Sequence, residues 1–298
     1  MLKFIKNWTL PLAMLIGVVF YPLFSRLAVL TPPLIFSMLL LTFCKISPRD
    51  LKFEPLHFWL LTIQIGGSLL VYGTIAYYNP TVAEGTMICI LAPTATAAAV
   101  VTGMLGGSVA SLTTYTLLGN IGTAIVAPII FPLIRDIQNL SFWGSFLLIL
   151  REVIPLLIFP FFCAWLLQKY IPKVHRKLLN LHQLAFYLWA VALAIVTGKT
   201  IEFLVNQETP GYTDEIMIAV SSLMVCCLQF YIGKTIGSYY GNRITGGQAL
   251  GQKNTILAIW MAQVYLNPIA SVGPASYVLW QNIINSWQLW KKRKKDTL

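Results

Sequence analysis

Apolar runs recur along nearly the whole chain, from residue 8 to residue 290, and only short polar stretches separate them. The hydrocarbon core of a bilayer is about 30 Å thick, and about 20 helical residues cross it. Only 10% of the 298 residues are charged, whereas a soluble domain carries about 25%. The sequence therefore predicts an all-α integral membrane protein, and its length leaves no room for a separate soluble catalytic domain.

Ten membrane spans fit this pattern. They are expected at residues 8–25, 31–45, 56–77, 82–104, 109–134, 143–168, 182–204, 215–239, 246–265 and 271–289. Because ten is even, both termini lie on one side, and that side collects most of the Lys and Arg residues, including those of the tail 291–295. Cytoplasmic loops are enriched in basic residues. We therefore expect a multi-pass protein of the cell inner (plasma) membrane with both termini in the cytoplasm.

The net charge of +11 bears on the partners of the protein. Its basic residues cluster in alternate loops and in the tail, a pattern typical of flanks that touch anionic lipid. We expect contact with membrane lipid and no nucleic-acid partner, and the sequence names no protein partner. The five cysteines lie within or at the ends of predicted helices without the spacing of metal ligands, and the three histidines fall at helix ends. Neither a metal site nor a cofactor is predicted.

The spacing of the spans repeats along the chain. Span centres near residues 38, 67, 93 and 122 are followed by centres near 192, 227, 254 and 281. Each half then holds five helices, and because five is odd the second half enters the bilayer in the opposite orientation, as in many secondary transporters. We expect one polytopic domain over residues 1–298, with an inverted repeat divided into about 1–138 and about 139–298.

Spans four and nine are each interrupted near the middle. Pro93 stands at the centre of span four, where its missing N–H and its ring disrupt a helix. Residues 246–254 of span nine hold three glycines, including Gly251, and four polar side chains. Unwound backbone at membrane depth persists only against protein, water or a ligand. The breaks therefore indicate a binding site, unless Pro93 is a packing kink and the glycines serve close helix contact.

Three short motifs carry a family resemblance. They are APTATAAAVVTGMLGGSVA at 92–110, LGQKNTILA at 250–258 and REVIPLL at 151–157. They resemble the proline-containing fourth span, the ninth-span motif and the opening of the sixth span of the bile acid:sodium symporter family. The wider superfamily, with auxin-carrier-like and arsenite-exporter-like proteins, shares the architecture. The resemblance implies crossing broken helices 4 and 9, a core of spans 3–5 and 8–10, a panel of spans 1, 2, 6 and 7, and solute bound between them.

The chain departs from this resemblance at the sodium sites. Sodium-coupled members carry a Ser-Asn pair where this chain has Ala98 and Ala99, and an acidic residue and a glutamine where it has Ala249 and Lys253. Methyl groups cannot coordinate sodium, and an ammonium repels it. We therefore expect sodium-independent coupling, with Lys253 supplying the positive charge. Two versions stay open, a fixed charge that stabilises the helix ends and a lysine that releases and takes up a proton.

The resemblance also places Thr96 and Asn254 in the cleft and Gln64 near the second cation position. Together with the polar residues Thr94 and Asn282, Thr96 and Asn254 are the expected substrate contacts. We expect a secondary transporter, not an enzyme, that moves a small or amphipathic organic anion by alternating access. Two alternatives from other classes are an integral membrane enzyme acting on a lipid and a membrane-embedded sensor or binding module.

Overall fold

A computed structural model describes residues 12–45, 51–95, 97–135, 137, 139–206 and 212–296. Every regular element in these ranges is a helix. Their only β feature is an isolated antiparallel bridge between Thr94 and Lys253. The prediction of an all-α chain is confirmed.

Fifteen helices follow one another in the described ranges. They are α1 (12–19), α2 (Tyr21–Arg26), α3 (Thr31–Phe43), α4 (Pro55–Ile75), α5 (Pro80–Leu91), α6 (Ala98–Leu105), α7 (Val109–Ile134), α8 (Phe142–Leu157), α9 (Phe159–Tyr170), α10 (Pro172–Asn180), α11 (His182–Val205), α12 (Thr213–Tyr239), α13 (Arg243–Gly251), α14 (Thr255–Tyr265) and α15 (Val272–Asp296). A 3-10 turn over Leu27–Leu30 separates α2 from α3, and another over Pro268–Ser271 precedes α15.

The helices have the length and surface of membrane spans. Among the described residues, six stretches are long and apolar enough to cross a bilayer: Tyr21–Phe43, Pro55–Ile75, Val109–Ile134, Phe142–Tyr170, Leu184–Val205 and Thr213–Tyr239. Two shorter apolar helices, Pro80–Leu91 and Thr255–Tyr265, accompany them. Large apolar side chains point outward, and Leu70 and Met224 are 69% and 68% exposed. This is the organisation of a multi-pass membrane protein.

Local sequence sets several helix ends. Pro80 begins α5 in the first turn, where its missing N–H costs nothing, and the Asn79 side chain accepts a hydrogen bond from the Val82 N–H at 3.1 Å. Ser108 caps α7 in the same way through the Ser111 N–H at 3.2 Å. The short helix α6 ends at Leu105, and Gly106 caps it with a left-handed φ of 86° that suits glycine.

Close packing of α12 on α13 depends on two glycines that face each other. A Cβ atom at Gly246 would lie 2.2 Å from the carbonyl oxygen of Gly233. Such an overlap with backbone cannot be relieved by a rotamer change. Gly246 therefore serves close helix contact, the second of the two interpretations that the sequence leaves open for this glycine, and it lies inside α13 and not at the break.

Candidate functional site

Both interrupted helices have a short extended segment at the position the sequence predicts. Helix α5 ends at Leu91, and the backbone turns extended at Ala92, with ψ of 137°, directly before Pro93. Helix α13 ends at Gly251, and Gln252 follows with ψ of 104°. Each helix resumes after the gap, as α6 and α14. The ends of four helices therefore meet inside the bundle.

The two extended segments, residues 93–95 and 252–254, pair with each other and are called the crossing below. The Ala95 N–H donates to the Gln252 carbonyl at 2.9 Å, and the Asn254 N–H donates to the Pro93 carbonyl at 2.8 Å. Unwound backbone at membrane depth needs such partners. The crossing satisfies these groups by joining the two halves of the chain.

Lys253 brings a positive charge to this junction. Its side chain is 1% exposed, and its Nζ donates to the Ile90 carbonyl at 2.7 Å. Ile90 belongs to the last turn of α5, where carbonyl groups lack helical partners and the helix dipole is negative. The ammonium therefore stands where a bound cation would be stabilised.

Gln64 lies at the neighbouring carbonyl of the same helix end. Its Nε2 donates to the Leu91 carbonyl at 2.8 Å, and Thr123 donates to that oxygen at 3.1 Å. The Tyr115 hydroxyl donates to Gln64 Oε1 at 2.6 Å and fixes the amide. Gln64, assigned from the resemblance to a cation position, thus holds the end of α5 through its own amide group.

Three polar residues on one face of α15 hold the end of α13. The Tyr277 hydroxyl donates to the Gly251 carbonyl at 2.9 Å, and Gln281 Oε1 accepts from the Lys253 N–H at 2.8 Å. Asn285 Oδ1 accepts from Gln248 Nε2 at 3.0 Å. None of these three residues was predicted from the sequence, although their spacing of four residues in an apolar helix indicates one inward face.

The predicted substrate residues of the breaks hold the crossing itself. Thr94 is fully buried, and its hydroxyl donates to the Ala249 carbonyl at 2.8 Å. Asn254 caps α14 by accepting from the Leu257 N–H at 3.3 Å. Ala98 and Ala249 are fully buried, and Thr96 lies outside the described residues.

Two neighbouring cavities lie beside the crossing, with volumes of about 380 and about 330 Å³, and are called the paired cavities below. The larger is lined by Thr42, Lys45, Ala99, Val100, Gly103, Met104, Val109, Thr113 and Thr116. The smaller is lined by Thr42, Lys45, Ala97, Val100, Val101, Ala185, Phe186, Trp189, Gln252 and Asn282. Helices α3 and α11 form one wall, and α6, α7, α15 and the crossing form the other.

The lining of the paired cavities combines an apolar surface with few polar groups. Lys45 is the one charged residue among the described residues that line them. Gln252 is 5% exposed, and its Oε1 has no hydrogen-bond partner in the part of the chain that the structure describes. The Asn282 amide nitrogen donates to the Val278 carbonyl at 2.6 Å. Of the predicted substrate residues, the structure brings Asn282 to a cavity.

The opposite end of the same interface is closed by hydrogen bonds, which we call the seam. Tyr265 donates to Glu152 Oε2 at 2.5 Å, Gln263 donates to Thr200 Oγ1 at 3.0 Å, and Thr200 contacts Ser271 at 3.2 Å. Phe186 and Trp189 of the cavities lie in the first third of α11, and Thr200 lies in its last third. The interface is therefore open at one end and bonded at the other.

The functional interpretation depends on the geometry of the crossing, the paired cavities and the seam, because the comparisons with known proteins find no relative. No protein-family model matches the chain, and a search of the curated proteins finds no match. The structure separates residues that hold the crossing from residues that line the paired cavities, and each group suggests its own role.

Proposed function

We propose that the protein is a secondary transporter that moves a small or amphipathic organic anion by alternating access. The observation that carries the proposal is the crossing, with Lys253 Nζ 2.7 Å from the carbonyl oxygen of Ile90 at the end of α5. Interrupted helices whose ends meet at membrane depth are typical of secondary transporters, where they bind solutes and coupling ions. The resemblance to the bile acid:sodium symporter family agrees with this assignment.

Lys253 takes the place of a coupling cation in this proposal. A sodium ion at the end of α5 would need several oxygen ligands, and the buried Ala98 and Ala249 offer only methyl side chains there. The tethered ammonium supplies one positive charge to the carbonyl groups without an ion from solution. Transport is then sodium-independent, with a fixed lysine charge or with a lysine that exchanges a proton.

The paired cavities support an organic anion as the solute. Their volumes lie near the lower end of the range of about 300–1,000 Å³ for small-molecule sites. Phe186 and Trp189 offer an apolar surface, Lys45 offers a positive charge, and the amides of Gln252 and Asn282 offer polar contacts. A carboxylate or sulfonate near Lys45, with its apolar body against Trp189, fits this lining.

The interface that holds both the paired cavities and the seam supports alternating access. We propose that the helices belong to ten spans in two inverted five-helix repeats, with α1, α2, α3, α8, α9 and α11 in a panel that rocks against the core around the crossing. Motion in one direction closes the cavities and breaks the seam. Lys45 at the cavity end belongs to the side rich in basic residues, which we place in the cytoplasm together with both termini.

A ligand screen on the purified protein tests this function. Organic carboxylates and sulfonates are added singly, and a saturating ligand at 100 times its Kd raises the free energy of unfolding by about 2.7 kcal/mol. Stabilising anions are then tested for uptake into proteoliposomes. Trp189→Ala should abolish the stabilisation, and Trp165→Ala on α9 is the matched control. Stabilisation by anions without any uptake would contradict transport and favour a sensor.

A further inference from the structure

The carboxyl-terminal part of α15 carries an ordered stripe on one face. Ile283, Trp287 and Trp290 are 59%, 53% and 58% exposed, and Lys291 and Lys294 are exposed as well. Steps of three or four residues place these five side chains on one side of a helix. We call them the α15 stripe.

The chemistry of the stripe changes with position along the helix. An apolar residue comes first, two tryptophans follow, and two lysines end it, over a helix length of about 16 Å. The two ammonium groups cover the rings, with Lys291 Nζ 5.2 Å from the Trp287 centroid and Lys294 Nζ 5.6 Å from the Trp290 centroid. Hydrocarbon, interface and headgroups of a bilayer follow in the same order.

Lys292 lies on another side of the same helical turn and contacts the wall of a cavity. Its Nζ donates to the Met104 carbonyl at 3.0 Å, in the last turn of α6 beside Gly106. Carbonyl groups at a helix end lack helical partners, so the ammonium stabilises this end. Met104 and Gly103 line the larger of the paired cavities. One helix end therefore joins the exposed stripe to the cavity wall.

We propose that the α15 stripe binds the headgroups of anionic phospholipids, and that this binding keeps Lys292 on α6 and orders the cavity wall. Two lysines at an anionic surface each strengthen the contact about five-fold, and tryptophans anchor the helix at the interface. A helix end without this anchor frays, and Lys292 then leaves the Met104 carbonyl. Anionic lipid thereby controls the order of α6. The inference rests on α15 and α6 alone and does not require transport.

Hydrogen exchange of the full chain in lipid nanodiscs tests the proposal. The protein is placed in phosphatidylcholine alone or in phosphatidylcholine with about one quarter phosphatidylglycerol, which supplies the negative surface. We expect the amides of α6, residues 98–105, to exchange about five-fold more slowly with phosphatidylglycerol present. Native mass spectrometry counts the phosphatidylglycerol molecules bound to each protein.

Three variants separate the two faces of the helix. Lys291→Gln with Lys294→Gln should lower the bound phosphatidylglycerol and remove the lipid effect on α6. Lys173→Gln with Lys177→Gln on the exposed face of α10 is the matched control and should leave both readouts unchanged. Lys292→Gln should retain the bound lipid and lose the slower exchange of α6, because the hydrogen bond from Lys292 to the Met104 carbonyl is absent.

A lipid effect that persists in the double variant of α15, or that is lost equally in the α10 control, would overturn the proposal. Should the double variant not fold, the wild type in about 1 M salt replaces it, because a Debye length of about 3 Å screens exposed lysines from headgroups. The effect must then disappear, and its persistence counts against the stripe. None of these readouts measures uptake, so a failure of the transport proposal is seen separately.

Discussion

The crossing and the paired cavities are neighbours, but they differ in how their polar groups are paired. The backbone groups of the crossing have hydrogen-bond partners, whereas a side-chain oxygen at the cavities has none among the described residues. At the crossing, Lys253 donates to Ile90, and Gln281 contacts both the N–H and the carbonyl of Lys253, at 2.8 and 3.3 Å. Gln252 belongs to the crossing through its backbone, but its side chain lines the smaller cavity, and its Oε1 is unpaired among the described residues. The backbone groups of the crossing and the Lys253 ammonium already have partners, which leaves few of them for a solute. In our proposal the breaks therefore form a junction held by its own hydrogen bonds, and the solute binds in the cavities beside it.

The largest loss of stability is expected at Gly246, where the backbones of α12 and α13 pack in direct contact. Gly246→Ala places a Cβ atom 2.2 Å from the Gly233 carbonyl oxygen, and we expect the free energy of unfolding to fall by about 3 kcal/mol or more. Gly66→Ala is the matched control because nothing lies within 4 Å of its new Cβ, and helix propensity then favours alanine by about 1 kcal/mol. Unfolding in detergent measures both. Equal stability of the two variants would show that the close packing of α12 on α13 does not require a glycine at position 246.

Gln281 and Asn282 are adjacent on α15, but Gln281 faces the crossing and Asn282 lines a cavity, so substitutions at the two positions compare these regions directly. Gln281→Leu leaves the buried N–H of Lys253 without its partner, whereas the carbonyl of Lys253 still accepts from the Thr255 N–H at 2.9 Å. For one unpaired buried N–H we expect the free energy of unfolding to fall by about 1–3 kcal/mol. Asn282→Leu next to it changes the cavity lining and should cost less than about 1 kcal/mol. Thermal unfolding distinguishes the two. If Asn282→Leu lost more stability than Gln281→Leu, the polar contacts that stabilise the fold would lie at the cavity and not at the crossing.

The sequence predicts the all-helical character and single spans such as α7 because their signals are local. The span predicted at 109–134 is α7, and the break at Pro93 follows from the chemistry of proline alone. Helix α10 was missed, since its residues appear in the sequence as a basic loop between two spans. In this helix, His175 Nε2 donates a hydrogen bond to the Cys44 carbonyl at 3.0 Å, between residues that are 131 positions apart.

The candidate site was harder to predict, because its partners are distant in the chain. The sequence marks Lys253 as unusual, but Ile90, its partner 163 residues away, carries no signal in its own side chain since only its carbonyl takes part. The polar character of Thr94 and Asn254 indicates a site without telling whether their hydrogen bonds serve a solute or the backbone. Only the fold shows that they bind Ala249 and Leu257.

Asn254 and Asn282 are expected to respond differently to alanine. Asn254→Ala removes the cap of α14 and should lower stability by about 1 kcal/mol while the affinity for a stabilising anion stays unchanged. Asn282→Ala removes a polar group of the cavity and should weaken that affinity about 2-fold to 12-fold with stability unchanged. Calorimetric titration and unfolding are measured on both. Weaker binding by Asn254→Ala alone would return the solute to the crossing, as the sequence first suggests.

The smallest effect is expected for Lys45, which is exposed at the rim of the paired cavities. Lys45→Gln should weaken anion affinity about 1.4-fold to 5-fold at low salt, since exposed charge pairs contribute about 0.2–1 kcal/mol. The difference from wild type should vanish at high salt because of screening. Lys173→Gln on α10 controls for overall charge. An effect that persists at high salt would show that Lys45 acts other than through its exposed charge.

The dependence of uptake on sodium tests the central claim that Lys253 replaces a coupling cation. Uptake of a stabilising anion into proteoliposomes is measured with sodium or potassium outside, for wild type, Lys253→Gln and the control Lys199→Gln, whose lysine pairs with Glu202 away from the crossing. The account predicts equal wild-type uptake in both salts, a strong loss in Lys253→Gln and normal uptake in Lys199→Gln. A proton gradient that drives uptake only when Lys253 is present would select the proton-exchanging version. A clear sodium requirement in the wild type would contradict the account.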